Sequence, residues 1–229
     1  MAEDPRPDDG GALARLLAEV EADFAATAHA TGCAQLEPRV RAALAAVPRA
    51  RFLPRPWRAH ALANRPLPIG RGQTISQPFI VALMTQLLAL DAGDRVLEIG
   101  TGCGYQAAVL AQLGARVTSV EVVPALSRRA RRTLAALSVT GVELQVADGH
   151  AGWPPGAPYD AIIATAAATT LPPAWLGQLA AGGRLVAPLG EHEGAQWLHL
   201  LRKDAAGSVV QTRVLAVRFV PLVAGTPPT

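Results

Sequence analysis

Three glycines in alternate positions, Gly100, Gly102 and Gly104, stand between two carboxylates, Glu98 and Glu121. A turn without side chains can bend sharply and let a ligand touch its backbone, and a carboxylate beyond it can accept hydrogen bonds from ribose hydroxyls. This is the chemistry of a nucleoside pocket. A pyrophosphate-binding turn, G-x-G-x-x-G, wants its third glycine one place later, where this chain has Tyr105. Glu98 points the same way, since a carboxylate there repels a diphosphate but suits a cationic or amino-bearing ligand. S-adenosylmethionine, with its sulfonium and α-amino groups, meets both conditions.

The elements that must hold these residues follow from the apolar pattern. Val96, Leu97 and Ile99 read as a buried strand, and Ala107, Val109, Leu110 and Leu113 recur at helical spacing after the glycines. A second strand over residues 117–120 ends at Glu121, giving a β-α-β unit with its acid at the carboxyl end of the second strand. Further strands are expected at 142–146, ending at Asp148-Gly149, at 159–164, ending at Thr165, and at 184–187, 197–201 and 209–215. The fold class expected is α/β: a Rossmann-like, mostly parallel sheet of about seven strands with helices on both faces and an antiparallel member near the end. Ligands of such sheets lie beyond the carboxyl ends of the strands. Asp148 is there to accept from an adenine amino group, its bland alternative being a turn cap, and Thr165 lies beside the reactive end of the cofactor.

Upstream, helices are expected over residues 12–28 and from Pro38 to about 47, with residues 1–11 disordered and 224–229 a flexible tail. Residues 12–77 form a helical and loop cap on a core of 78–223, within a single domain. Prolines at 48, 54, 56, 66 and 68 make the segment between them a long shaped loop, and loops of that length are often functional. It leads into Gln73-Thr74-Ile75-Ser76-Gln77-Pro78 and an apolar helix to about 90. Ser76 or Gln77 sits at its N-cap, so the Ser76 hydroxyl is either a cap or part of an anion site at the helix tip.

At 229 residues, half of them hydrophobic, the chain buries a core without staples. Its two cysteines, Cys33 and Cys103, have no metal-ligand or disulfide spacing, and Cys103 is read as a small residue tolerated in the turn. The acidic, proline-rich start is unlike a signal peptide, and no apolar run reaches transmembrane length, so a soluble, cytoplasmic protein is expected, and a monomer is the oligomeric state assumed for it. The net charge of +3 rests on arginine. Arg128, Arg129, Arg131 and Arg132 read as a solvated helix face rather than a nucleic-acid patch, since nothing aromatic interleaves them.

The stretch from Glu98 to Glu121 resembles the first motif of the Rossmann-like S-adenosylmethionine-dependent methyltransferases. A closer resemblance runs through Leu67-Pro68-Ile69-Gly70, Gly72 to Pro78, Val96 to Gly102, Asp160-Ala161-Ile162-Ile163 with Thr165-Ala166-Ala167, and Arg218-Phe219-Val220-Pro221-Leu222. In order, over roughly residues 40–223, these are similar to the protein-L-isoaspartate (D-aspartate) O-methyltransferase family. The resemblance implies methyl transfer from S-adenosylmethionine to the α-carboxylate of isoaspartyl residues in damaged proteins and peptides. The ester then collapses to a succinimide that reopens partly to aspartate. It implies Ser76 as the catalytic-site serine, a cofactor surface of Glu98, Gly100, Thr101, Gly102, Gly104, Glu121, Val122, Asp148, Gly149 and Thr165, and substrate contacts from Gln73, Thr74, Ile75, Gln77 and Val220, with no metal. Where the family often carries acids before Leu-Pro-Ile-Gly, this chain has Ala63 and Asn64.

A carboxylic acid with a reference pKa of about 3.9 is already ionised at neutral pH, so the acceptor needs no general base. The five histidines, His29, His60, His150, His192 and His199, accordingly share no motif. Three alternatives stay open: a relative acting on aspartate in one dedicated peptide, a silent S-adenosylmethionine-binding protein, and a dinucleotide oxidoreductase, which Tyr105 disfavours.

Overall fold

The computed structural model describes residues 9–225. Helix α1 (Asp9–Thr31) buries Leu16, Leu17, Val20 and Phe24 along one stripe, the three- and four-residue spacing that faces a core. Residues 9–11 are therefore helical rather than disordered, while residues 1–8 of the expected leader and 226–229 of the expected tail lie outside the described residues. Helix α2 (Pro38–Ala46) opens on its proline, whose missing N–H is no loss in a first turn.

The proline-rich segment makes two short 3-10 turns, Arg49–Phe52 and Arg55–His60. It is followed by a hairpin that the sequence reading left as loop: β1 (Leu67–Gly70) pairs antiparallel with β2 (Gln73–Ile75). Gly70, Arg71 and Gly72 all take positive φ, which closes the hairpin. Helix α3 (Pro78–Leu88) is apolar nearly all round because it lies against α1, α2 and the sheet.

Next come β3 (Arg95–Ile99), α4 (Tyr105–Gln112), β4 (Arg116–Glu121), α5 (Pro124–Ala136), β5 (Val142–Val146), β6 (Tyr159–Ala164), α6 (Pro173–Gln178), β7 (Leu179–Gly190), β8 (Gln196–Lys203) and β9 (Val209–Val217). They form the expected seven-stranded sheet, ordered β5-β4-β3-β6-β7-β8-β9, parallel through β7, with β8 antiparallel to both neighbours. Alternate residues feed opposite faces. Val96, Ile163 and Val186 join the cluster that includes the helices α1 to α5, and Leu97, Ile162 and Leu185 join Trp175 of α6. The N-terminal helices thus share one core with the sheet. Chain order reverses at β3 and β6, where a crevice opens beyond the strand ends.

Tyr105 begins α4 fully enclosed, and its ring meets that of Phe52 edge-on, centroids 5.5 Å apart. It ties the proline-rich segment to the glycine turn.

Candidate active site

Gly100 leaves β3 with φ of 95° and donates its N–H to Val120 O at 2.8 Å. Thr165 crosses beside it, its N–H donating to Ile99 O at 2.8 Å and its hydroxyl to Gly100 O at 2.5 Å. A Cβ on Gly100 would stand 2.7 Å from that hydroxyl, so only glycine fits. Glu121 is 7% exposed, and its two oxygens accept the N–H groups of Gly102 at 2.8 Å and Val123 at 2.9 Å. Burial raises its pKa despite these donors. Each oxygen keeps lone-pair capacity for a further donor. Gly100, Gly102, Glu121, Val122, Gly149 and Thr165 line a crevice of about 60 Å³, with Gln73, Thr74 and residues 220–223 along its other wall. That wall is fastened by Leu222, whose N–H donates to Ala167 O at 2.7 Å.

Two residues expected on the cofactor surface lie beneath it instead. Glu98 is fully buried and Thr101 is 4% exposed. The hydroxyls of Thr101 and Ser119 are 2.6 Å apart, and Ser119 donates to Glu98 Oε2, while Glu98 Oε1 has no hydrogen-bond partner among the described residues. The reason is the pleat: Glu98 sits in the centre of the sheet, paired in register with Ser119, and faces the same side as Val96. Burial, aided by the charge of Glu121 and opposed by the Ser119 hydroxyl, pushes its pKa up to about 8. The folded chain therefore holds a proton that the unfolded chain, with Glu98 near its ordinary value of 4.5, releases. The stability this proton lends is complete below that value and is lost as pH rises towards about 8. Glu98→Gln should remove a slope of up to about 1.4 kcal/mol per pH unit. Urea unfolding across this range measures it, and identical slopes in both proteins would show Glu98 ionised throughout.

Gly104 is likewise structural. It caps α4 at φ 89°, and a Cβ there would press on Ala130 of α5 at 3.2 Å. Cys103 is buried, which pushes its thiol up to about 11 and leaves it unreactive.

Asp148 does cap the next turn. Its Oδ1 accepts the backbone N–H of His150 at 2.9 Å and lies 2.8 Å from the ring Nδ1, and its Oδ2 accepts from Gly225 at 3.1 Å. Partial burial would raise its pKa, but these bonds outweigh it and the net shift is downward. The carboxylate stands next to Gly149, whose carbonyl accepts from the indole N–H of buried Trp175 at 2.8 Å.

A larger cleft of about 550 Å³ adjoins the crevice and shares Thr74, Thr165 and Val220 with it. Ser76, Gln77, Asp23 and Arg218 also line it. Gln77 is the N-cap of α3 but makes no side-chain capping bond. That work falls to Asn64, whose Oδ1 accepts from Phe79 N–H at 3.1 Å while its Nδ2 donates to Asp23 Oδ2 at 2.8 Å. The Ser76 hydroxyl has no hydrogen-bond partner among the described residues, so it is not a cap. Ile75 was expected to touch substrate, but at 2% exposure it belongs to the core, because the β2 alternation turns it inward.

Sequence reasoning missed Asn64, Asp23 and Trp175, none of which stands in a periodic or motif context. It also misread one member of the arginine cluster: Arg129 is half-buried and donates to Ile69 O and Phe52 O at 3.0 and 3.1 Å, whereas Arg128, Arg131 and Arg132 are exposed as expected. No group of three or more His, Cys, Asp or Glu side chains able to hold a metal occurs among the described residues. No described helix is long and apolar enough to cross a membrane.

The family model described as protein-L-isoaspartate(D-aspartate) O-methyltransferase matches residues 26–226. The chain belongs to that family. A protein-L-isoaspartate O-methyltransferase of Cupriavidus necator is 49% identical over 210 residues, 92% of this chain and 81% of its own. One of Anaeromyxobacter dehalogenans is 54% identical over 185 residues, 80% of this chain and 88% of its own. Among solved structures, a protein-L-isoaspartate O-methyltransferase superposes with a TM-score of 0.81 at 28% identity, over 94% of this chain and 67% of its own. A Plasmodium falciparum structure described as a beta-aspartate methyltransferase, in complex with S-adenosyl-L-homocysteine, gives 0.74 at 20% identity over 91% of this chain and 97% of its own. That last likeness is one of fold. The matched range includes both the glycine turn and the hairpin that leads into Ser76.

Proposed function

We propose that the chain transfers the methyl group of S-adenosylmethionine to the α-carboxylate of isoaspartyl residues in damaged proteins and peptides. The observation that carries this reading is the unused Ser76 hydroxyl, placed in a cleft that shares Thr74, Thr165 and Val220 with the nucleoside crevice. The crevice suits the cofactor: Glu121 offers acceptor capacity to ribose hydroxyls, and Gly100 and Gly102 leave backbone bare beside it. Asp148 and Gly149 stand at the adenine end and Thr165 at the acceptor end. S-adenosylmethionine supplies a methyl group activated by its sulfonium.

The chain itself orients and desolvates. Ser76 donates to one oxygen of the acceptor carboxylate, while Thr74, Gln77 and Val220 shape the cleft around the peptide. No histidine among the described residues lines either cavity, and an ionised acceptor asks for none. Alignment of this kind is worth about 7–11 kcal/mol of barrier. The chain would work as a cytoplasmic monomer on peptide segments, without nucleic acid and with residues 12–77 as its cap.

The competing substrate is aspartate in one dedicated peptide. A methyl-transfer assay on one peptide with isoaspartate and its isomer with aspartate decides between them. Labelling of the isoaspartyl form alone is expected; equal or reversed labelling overturns the reading.

A further inference from the structure

Arg49 is 3% exposed, and no other arginine or lysine among the described residues is buried. A buried guanidinium is tolerated only when its donors are met. The Nη donors of Arg49 are met by carbonyls: Nη1 donates to Ala61 O at 2.6 Å and Ala63 O at 3.4 Å, and Nη2 donates to Arg65 O at 3.0 Å and Ser76 O at 2.9 Å. Nε has no partner among the described residues. One rigid fork therefore joins the 61–65 segment to the residue that carries the acceptor hydroxyl. Ser76 lies between β2 and α3, outside the regular bonding of both, and its carbonyl accepts from Arg49. Holding that carbonyl restrains the peptide plane and with it the Cα–Cβ bond from which the hydroxyl extends.

We propose that Arg49 is a positioning residue for methyl transfer: through the Ser76 carbonyl it sets where the Ser76 hydroxyl meets the acceptor carboxylate. This rests on the acceptor role given to Ser76 above. The guanidinium does not itself line the cleft, and acts only through the serine. Lysine keeps the charge but presents a single point of donation, which cannot span carbonyls on both segments.

The test is a double-mutant cycle of R49K and S76A, read by kcat/KM for an isoaspartyl peptide and by the affinity for S-adenosylhomocysteine. R49K alone should lower kcat/KM about tenfold or more, as misplaced reacting groups do, with homocysteine-nucleoside affinity unchanged. In the S76A background the same change should have almost no further effect. Multiplying effects, wild-type activity of R49K, or a parallel loss of nucleoside affinity would each overturn the proposal. A silent S76A would instead reject the role of the serine itself, a different and separately visible failure. Should R49K not fold, the wild-type complex with S-adenosylhomocysteine and an isoaspartyl peptide gives the answer. The proposal requires Arg49 Nη2 still on Ser76 O with the serine hydroxyl on the carboxylate, and it fails if Arg49 has left that carbonyl.

Discussion

Replacing Ser76 with alanine is expected to lower kcat/KM for an isoaspartyl peptide about ten- to a hundredfold. The hydroxyl gives one hydrogen bond to a charged oxygen, on the order of 1.5–3 kcal/mol, which converts directly into that range of rates. Folding should not suffer, because the helix it precedes is capped by Asn64 and the hydroxyl holds nothing else among the described residues. The thermal midpoint and the affinity for S-adenosylhomocysteine stay where they are. Turnover equal to that of the unaltered protein would make the serine a bystander in its cleft.

Glu121→Gln should be more damaging, and at the other cavity. The carboxylate now accepts two backbone N–H groups, from Gly102 and Val123. An amide supplies one acceptor oxygen and an NH₂ that must face the remaining donor, so the turn loses a bond and gains a repulsion. The ribose loses charge-assisted acceptance as well, at about 1.5–3 kcal/mol for each bond. Calorimetry should show the dissociation constant for S-adenosylhomocysteine rising by about a hundredfold or more. A change within threefold would place the ribose elsewhere.

Local pattern made much of this molecule readable beforehand. The strand into Gly100, the helix from Tyr105 and the acid at Glu121 lie within one β-α-β unit, where spacing alone dictates geometry. The mostly parallel character of the sheet and its seven strands followed from the alternation of elements, whereas the strand order did not. What escaped depends on contacts between distant segments. Nothing in the sequence near Asn64 announces that it caps α3 and grips Asp23 of α1. Arg129 looked like surface because its neighbours do, yet it holds carbonyls of the 3-10 turn and the hairpin. The hairpin itself was hidden by brevity, its two strands being four and three residues long. Glu98 was assigned by adjacency to the turn, whereas the pleat of β3 decides which side of the sheet it faces, and Thr101 is turned inward by its hydroxyl contact with Ser119.

Tyr105 occupies the place where a dinucleotide-binding turn would want glycine, and its ring rests on Phe52. Retooling the turn for a diphosphate by removing that phenol would therefore also take away one of the contacts, beside Arg129 on Phe52 O, that hold the segment reaching towards the acceptor. In this scaffold the choice of donor molecule and the architecture of the recipient side are linked through an aromatic contact, so that redesigning one disturbs the other.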